Sequence, residues 1–452
     1  MKFKSTFVLG AVLVGGVVAV YLLDYKQGEE KKVIEGLSSK LIQLDSEKIR
    51  GVNLTSEYGT VSLIKNAEGD FTISSPVSAK ADKNALNSLI KAAGNIKKQR
   101  EIASGENLNL SPYGLKPPLV ELQFLLTDGS VTGFSLGEES PTGDYIFASV
   151  LGEDKVFTIP KSTDYRINKK LYDLRDKNIL SFKSKDISKI FVKTKDYEYE
   201  INRLGREFLM VKPVALNLES GKVNSLLSRL SNGKVKKFID REQPAPDITG
   251  LAEAETAIRM ESSNPSRQLQ LYVGSAVTED GKAYRYAMDA SRSTIMLIDS
   301  SFAEFLERRP FDLIKKEVLN FDKNKVDAFD IRYGKVELNL TKDNGVWNVT
   351  HPEKFTADSD KVDELLELFL SLKASAVEEY DPKSLRGYLN KFPNLTITLY
   401  QDSVEANFIR VGKKVGNESF LKSGGSSPIY RILNSAIEKL KVSADYFRKE
   451  ES

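Results

Sequence analysis

At 452 residues, 40% of them hydrophobic and 29% charged, the chain is long enough for about two to four folded domains and too apolar for disorder. Its 66 basic residues are balanced by 63 acidic ones, leaving a net charge of +3, so there is no basic excess for phosphate backbones and no nucleic-acid partner is expected. It has no cysteine and a single histidine, which excludes disulfides, thiolate chemistry and Cys- or His-built metal sites within one chain. A carboxylate calcium site is not excluded by composition, but "DSDKVD" (Asp358 to Asp363) lacks the spacing and glycine of a calcium loop.

In chain order, Lys2 and Lys4 precede an uncharged run of 19 residues, Ser5 to Leu23, which Asp24 ends. That length predicts a membrane-spanning helix. The run is long for a cleaved signal peptide and no small-residue cleavage site follows it, so a retained anchor over residues 1–24 is the expectation. Basic residues ahead of the run place the N-terminus in the cytoplasm. The bulk of the chain is then expected to be periplasmic, with a single-pass protein held in the inner membrane. Residues 25–41 read as a short stalk.

From residue 42 the pattern is of strands. "GVNLTSEYGTVSLIKNAEGDFTIS" alternates apolar and polar residues, broken at Glu57–Gly59 and Glu68–Asp70, and predicts an antiparallel meander. Pro76 and an extended polar link follow. Asp82 then reads as the N-cap of a helix whose apolar stripe is Leu86, Leu89, Ile90 and Ala93. A second set of strands comes next: "VELQFLL", "SVTGFSLG", "YIFASV" and "KVFTIP". A short closing helix lies in "STDYRINKKLYDLRD".

The same order of signals recurs twice. When Pro76, Pro213 and Pro352 are aligned, an aromatic stands five residues before each (Phe71, Phe208, Trp347) and an acidic residue six after (Asp82, Glu219, Asp358). Leu86, Leu89 and Ile90 match Val223, Leu226 and Leu227, then Val362, Leu365 and Leu366. "FSLG", "LYVG" and "IRVG" end in Gly137, Gly274 and Gly412. The prolines lie 137 and 139 residues apart. Such ordered agreement predicts three tandem copies, near 42–182, 183–321 and 322–447. Each copy is expected to be an α+β domain, mostly antiparallel sheet with one main helix and a small closing helix.

Several stretches invite a chemical reading and each has a plainer one. Tyr113-Gly114-Leu115 with Pro117-Pro118 would suit a ligand loop, but reads more simply as a turn. Gly274 followed by Gly281-Lys282-Ala283 has the wrong spacing for a phosphate loop and no Ser/Thr after the lysine; it reads as a hairpin. Lys422 to Pro428, "KSGGSSP", has no nucleophile elbow, and any Ser-His-Asp triad would have to use His351. Gly137 to Tyr145 is an acidic turn that would suit a cation or simply face solvent. Trp347 takes the slot of Phe71 and Phe208, and His351 takes that of Ser75 and Lys212, so the pair reads as a core aromatic and an exposed turn residue. No catalytic, cofactor-binding or metal residue is assigned. The polar, Pro/Gly-rich loops "REIASGENLNLSPYG" (100–114) and "DREQPAPDITG" (240–250) fall at corresponding places, where a partner surface is expected.

The phrases "DFTISSPVSAKADKNALNSLI" and "PYGLKPPLVELQF", with Asp128-Gly129 and Leu136-Gly137, together resemble the bacterial domain-of-unknown-function 4340 family. The third copy departs from that pattern: "YLNKFPNLTITLY" lacks Tyr-Gly-Leu. The second keeps Gly250-Leu251 without the tyrosine. The resemblance implies an envelope protein accompanying ABC-2-type transporters or gliding-motility auxiliary subunits, and it brings no catalytic residues. The expectation is therefore a non-enzymatic, membrane-anchored binding or assembly protein. Its partners would be the lipid bilayer, through residues 5–23, and other membrane proteins such as a transporter permease. Two rival readings are an envelope hydrolase with paired carboxylates about 5–10 Å apart, and a subunit that captures a lipid or glycan.

Overall fold

The structure is a computed structural model, and it describes residues 39–292, 294–424 and 428–449. The chain divides into two compact units, one ending at Lys177 and the other beginning at Asn178. The first unit holds one nine-stranded antiparallel sheet, and the second unit holds two.

In the first repeat, β1 (Ile49–Ser56), β2 (Gly59–Lys65), β3 (Phe71–Ser75) and β4 (Ala79–Lys80) form a meander. The helix α1 (Lys83–Gly94) follows, then the edge strand β5 (Arg100–Ser104). A second meander is built from β6 (Val120–Leu126), β7 (Val131–Glu139), β8 (Tyr145–Val150) and β9 (Lys155–Pro160). The two meanders join through β1 and β6, with Val52 opposite Phe124 and Leu54 opposite Leu122. The sheet order is β4-β3-β2-β1-β6-β7-β8-β9-β5. The other two sheets repeat this order strand for strand.

The expected α+β class is corrected: each repeat is mostly β. Local alternation marks the strands of each meander, but not the β1–β6 pairing, which fuses them into one sheet across an intervening helix and loop. Sequence also hides β5, whose residues are exposed except for a half-buried Ala103. It is a strand only because β9 pairs with it, Arg100 opposite Thr158. The expectation of a single-pass, inner-membrane protein is corrected as well. Among the described residues no helix is long and apolar enough to cross a membrane. The anchor (1–24) and nearly all of the stalk (25–41) lie outside the described residues.

Each sheet buries one face beneath its main helix. In α1 the stripe Leu86, Leu89, Ile90 and Ala93 is buried. Its counterparts are Val223, Leu226, Leu227 and Leu230 in Ser220–Asn232, and Val362, Leu365, Leu366 and Phe369 in Ser359–Leu370. Each fully buried Leu or Ile contributes about 1.5–3 kcal/mol relative to exposure. The helices begin at corresponding residues, but their caps differ. The Asp82 carboxylate accepts from the N–H groups of Asn84 and Ala85, and that of Asp358 accepts from Asp360. The Glu219 side chain does not cap its helix; it pairs with Lys222 at 2.8 Å.

The backbone N–H of the cap residue is used in the same way three times. Asp82, Glu219 and Asp358 donate to the carbonyls of Leu174, Leu313 and Phe447, each at 2.8 Å. The closing segment of each repeat is thereby laid across the start of that repeat's helix.

Trp347 is 3% exposed and packs its ring against Phe329, with centroids 5.6 Å apart. His351 is exposed at the end of its strand, and the His351–Pro352 peptide is cis, as are Ser75–Pro76 and Lys212–Pro213 at the matching places.

Candidate functional site

The glycine that closes "FSLG", "LYVG" and "IRVG" has one geometric reason in all three repeats. A Cβ at Gly137, Gly274 or Gly412 would stand well under 3.0 Å from the carbonyl oxygen of Tyr113, Thr249 or Tyr388 respectively. The loop that leads into the sixth strand lies directly on the glycine, and only a residue without a side chain permits that approach. The strand is also bulged there: pairing slips between Leu136 and Glu139, between Val273 and Ala276, and between Val411 and Lys414. The bulge adds one residue to the strand beside the docked loop, and pairing resumes beyond it at Glu139, Ala276 and Lys414.

The loops 100–114 and 240–250 each end at this glycine. In the first, a 3-10 turn over Ser111–Tyr113 is closed by Gly114 at φ +64. In the second, the turn Pro246–Thr249 is closed by Gly250 at φ +62. The third repeat closes differently, with Leu389 donating its N–H to the Leu385 carbonyl at 2.8 Å. Its tyrosine is nevertheless present. Tyr388 stacks edge-on against Phe420 at 5.1 Å and 85°, as Tyr113 does against Phe147 at 5.1 Å and 73°. The order Gly387-Tyr388-Leu389, with glycine and tyrosine exchanged, is why the sequence comparison found no Tyr-Gly-Leu there. The signal that would have found it is the distance from the tyrosine to the glycine of the docking strand, 24 residues in both Tyr113–Gly137 and Tyr388–Gly412. The Tyr388 hydroxyl donates to Glu379 at 2.7 Å, and that bond pushes its pKa above the ordinary phenol value.

Beside the docked loop of the second and third repeats lies a cavity, of about 680 and about 690 Å³ respectively. These volumes fall within the usual range for ligand sites. The two differ in charge. In the second repeat Asp247, Glu253 and Glu255 line the cavity with Arg285, whose Nε donates to the Gly274 carbonyl at 2.6 Å. Arg285 is also 3.4 Å from Glu307, so its charge is answered. In the third repeat the lining carries Arg386, Lys391, Arg410 and Lys413 and no acidic residue.

The remaining stretches resolve into local structure. Asp280 and Gly281 form the two-residue turn of a hairpin in which Glu279 faces Lys282. Both have positive φ, +49 and +72, as such a turn requires. The acidic turn after Gly137 is a hairpin whose Glu139 pairs with Lys161 at 2.7 Å. Lys422 lies in the strand Glu418–Ser423, while residues 425–427 of that stretch lie outside the described residues. Among the described residues no three His, Asp or Glu side chains are grouped as metal ligands would be.

The model of a family described as "Domain of unknown function (DUF4340)" matches residues 71–207, 209–346 and 347–451. The chain belongs to the DUF4340 family. No curated protein matches it in sequence. The DUF4340 segments are out of phase with the sheets. Each begins on or beside the aromatic of a third strand, at 71, 209 and 347; the first two end at the first residue of the next sheet's third strand, and the third ends at residue 451. The family pattern thus runs from one aromatic-proline strand to the next, whereas each sheet starts about twenty residues earlier.

Proposed function

We infer that this DUF4340 protein is a binding and assembly component rather than an enzyme, and that its repeats engage partners through the loop-lined grooves. What supports the reading is one observation: a single loop-on-glycine scaffold is kept in all three repeats while the charge beside it reverses between the second and the third. A scaffold held constant under a changing lining suits several partner contacts on one chain. Charge complementarity of this kind sets partner choice and approach more than raw affinity. The finer reading is that the partners are proteins of an ABC-2-type export or motility-related assembly.

The test is affinity purification of the tagged full-length chain from cells, in detergent, with identification of what co-purifies. Recovery of transport or motility proteins, lost when charges are reversed in loops 100–114 and 240–250, is the expected result. A solitary protein with hydrolytic activity, or partner recovery untouched by both loop changes, would overturn the reading.

A further inference from the structure

The groove of the third repeat has four cations and, among the described lining residues, no carboxylate. Among the described residues, none of Arg386, Lys391, Arg410 and Lys413 forms an ion pair with a carboxylate. Three of them are held in place by other means. Lys413 Nζ donates to the carbonyls of Arg386 and Gly387 at 3.3 and 3.0 Å, which fixes the ammonium against the docked loop. Arg410 lies over the Phe408 ring at 4.6 Å, and Lys391 over Phe392 at 5.7 Å. Four like charges around one cavity repel one another, and a bound anion relieves that repulsion.

The arrangement suits an extended chain of carboxylates better than a single compact anion. Arg410 and Lys413 are three residues apart on one strand, and Arg386 and Lys391 lie five apart on the facing loop. The four charges are thus spread over a strand and a loop. The backbone N–H groups that cradle phosphates elsewhere are already committed here. Those of Tyr388 and Leu389 both go to the Leu385 carbonyl, and that of Lys413 goes to the Tyr388 carbonyl. Phe392, between the lining residues Lys391 and Pro393, is 78% exposed, and the lining residue Leu385 is exposed as well. Aromatic and arginine side chains are the types enriched where proteins bind proteins.

We propose that the third repeat's groove binds an acidic, extended segment of a protein partner that also carries an apolar side chain for the exposed Phe392. This rests on the assembly reading above and names the chemistry of one partner. The second repeat's groove, with Asp247, Glu253 and Glu255, is its internal control and does not accept the same segment.

The test uses the full-length chain and a fluorescein-labelled, glutamate-rich decapeptide containing one phenylalanine, followed by fluorescence anisotropy. Binding is expected at low salt and weakens as ionic strength rises. Arg410→Glu with Lys413→Glu lowers the affinity by about tenfold or more, while Glu253→Gln with Glu255→Gln leaves it unchanged. Arg410→Gln with Lys413→Gln is the milder pair, read alongside an unfolding midpoint, should charge reversal disturb folding. Phe392→Ala weakens binding without altering its salt dependence. No binding, binding insensitive to both Arg410–Lys413 pairs, or displacement of the peptide by stoichiometric pyrophosphate would overturn the proposal; the last would make this a small-anion site. If the peptide fails to bind while affinity purification still recovers partners, this inference falls alone. If the peptide binds but no partner is recovered, the wider reading falls alone.

Discussion

The grooves of the second and third repeats share a backbone and oppose each other in charge. Both are roofed by a loop whose carbonyl rests on a glycine, and both follow a slip in strand pairing at that glycine. Yet one is lined by three carboxylates and an arginine already paired with Glu307, and the other by four cations with no ion-pair partner among the described residues. Packing constrains the buried half of such a site, because a displaced backbone costs energy wherever it occurs. Nothing in packing constrains the exposed half. The lining side chains were therefore free to differ, and they differ most in charge, the property that discriminates between partners.

If the two repeats are one scaffold, their cores should fail alike. Phe208→Ala and Trp347→Ala remove aromatics that are each 3% exposed at matching positions, and each is expected to cost about 3–5 kcal/mol in denaturant unfolding. A cost near zero in one repeat would break the equivalence. The next largest effect lies at the docking glycines. Gly274→Ala and Gly412→Ala force a Cβ against a loop carbonyl and should each cost about 1–3 kcal/mol. The accompanying faster amide exchange should be confined to residues 246–250 or 385–389, and exchange spread over the whole sheet would show that the glycine does more than seat the loop.

The helix starts sharpen the comparison at smaller scale. Asp358→Ala loses a side-chain cap and should cost about 0.5–2 kcal/mol, whereas Glu219→Ala, which has no such bond to lose, should cost less. Equal costs in thermal unfolding would show that the cap hydrogen bond is not what separates them.

The first repeat supplies the pH-dependent case. Burial works against the charge of Asp82, but the N–H of Ala85, the Lys177 ammonium 3.4 Å away and the N–H of Asn84 outweigh it and hold the carboxyl below its ordinary range. A carboxyl depressed in the folded state contributes stability that is complete above its unfolded-state pKa and is lost as pH falls through its lowered folded-state value. Asp82→Asn should therefore flatten the acid side of the midpoint-versus-pH curve and leave the neutral side parallel to wild type. Smallest of all, His351→Ser changes an exposed residue and should shift stability by less than about 0.5 kcal/mol; a loss of partner binding in this variant would restore a role to the lone imidazole.

Much of this was legible without coordinates wherever a side chain answers only to its own element. The helix stripes and the threefold order of aromatic, proline and acidic cap are local patterns, and local patterns survive in sequence. The loop 240–250 beside the second repeat's groove was also marked by its composition, but the loop beside the third repeat's was not. What escaped was non-local. Ala79–Lys80 and Arg100–Ser104 carry no alternating pattern and became strands only by pairing with a neighbour. Tyr388 was hidden because it exchanges places with a glycine, although its ring packing matches that of Tyr113.

Sequence by itself determined the repeat, its period and the buried face of each helix, because hydrophobic burial imposes its spacing on the chain directly. Only the tertiary structure decided that two strand sets make one sheet, since pairing between Ile49–Ser56 and Val120–Leu126 spans an entire helix and loop. It also decided what the groove is. Arg386 and Lys391 precede Arg410 and Lys413 by some twenty residues, and they meet because a strand glycine lets a loop carbonyl come close enough to seat them.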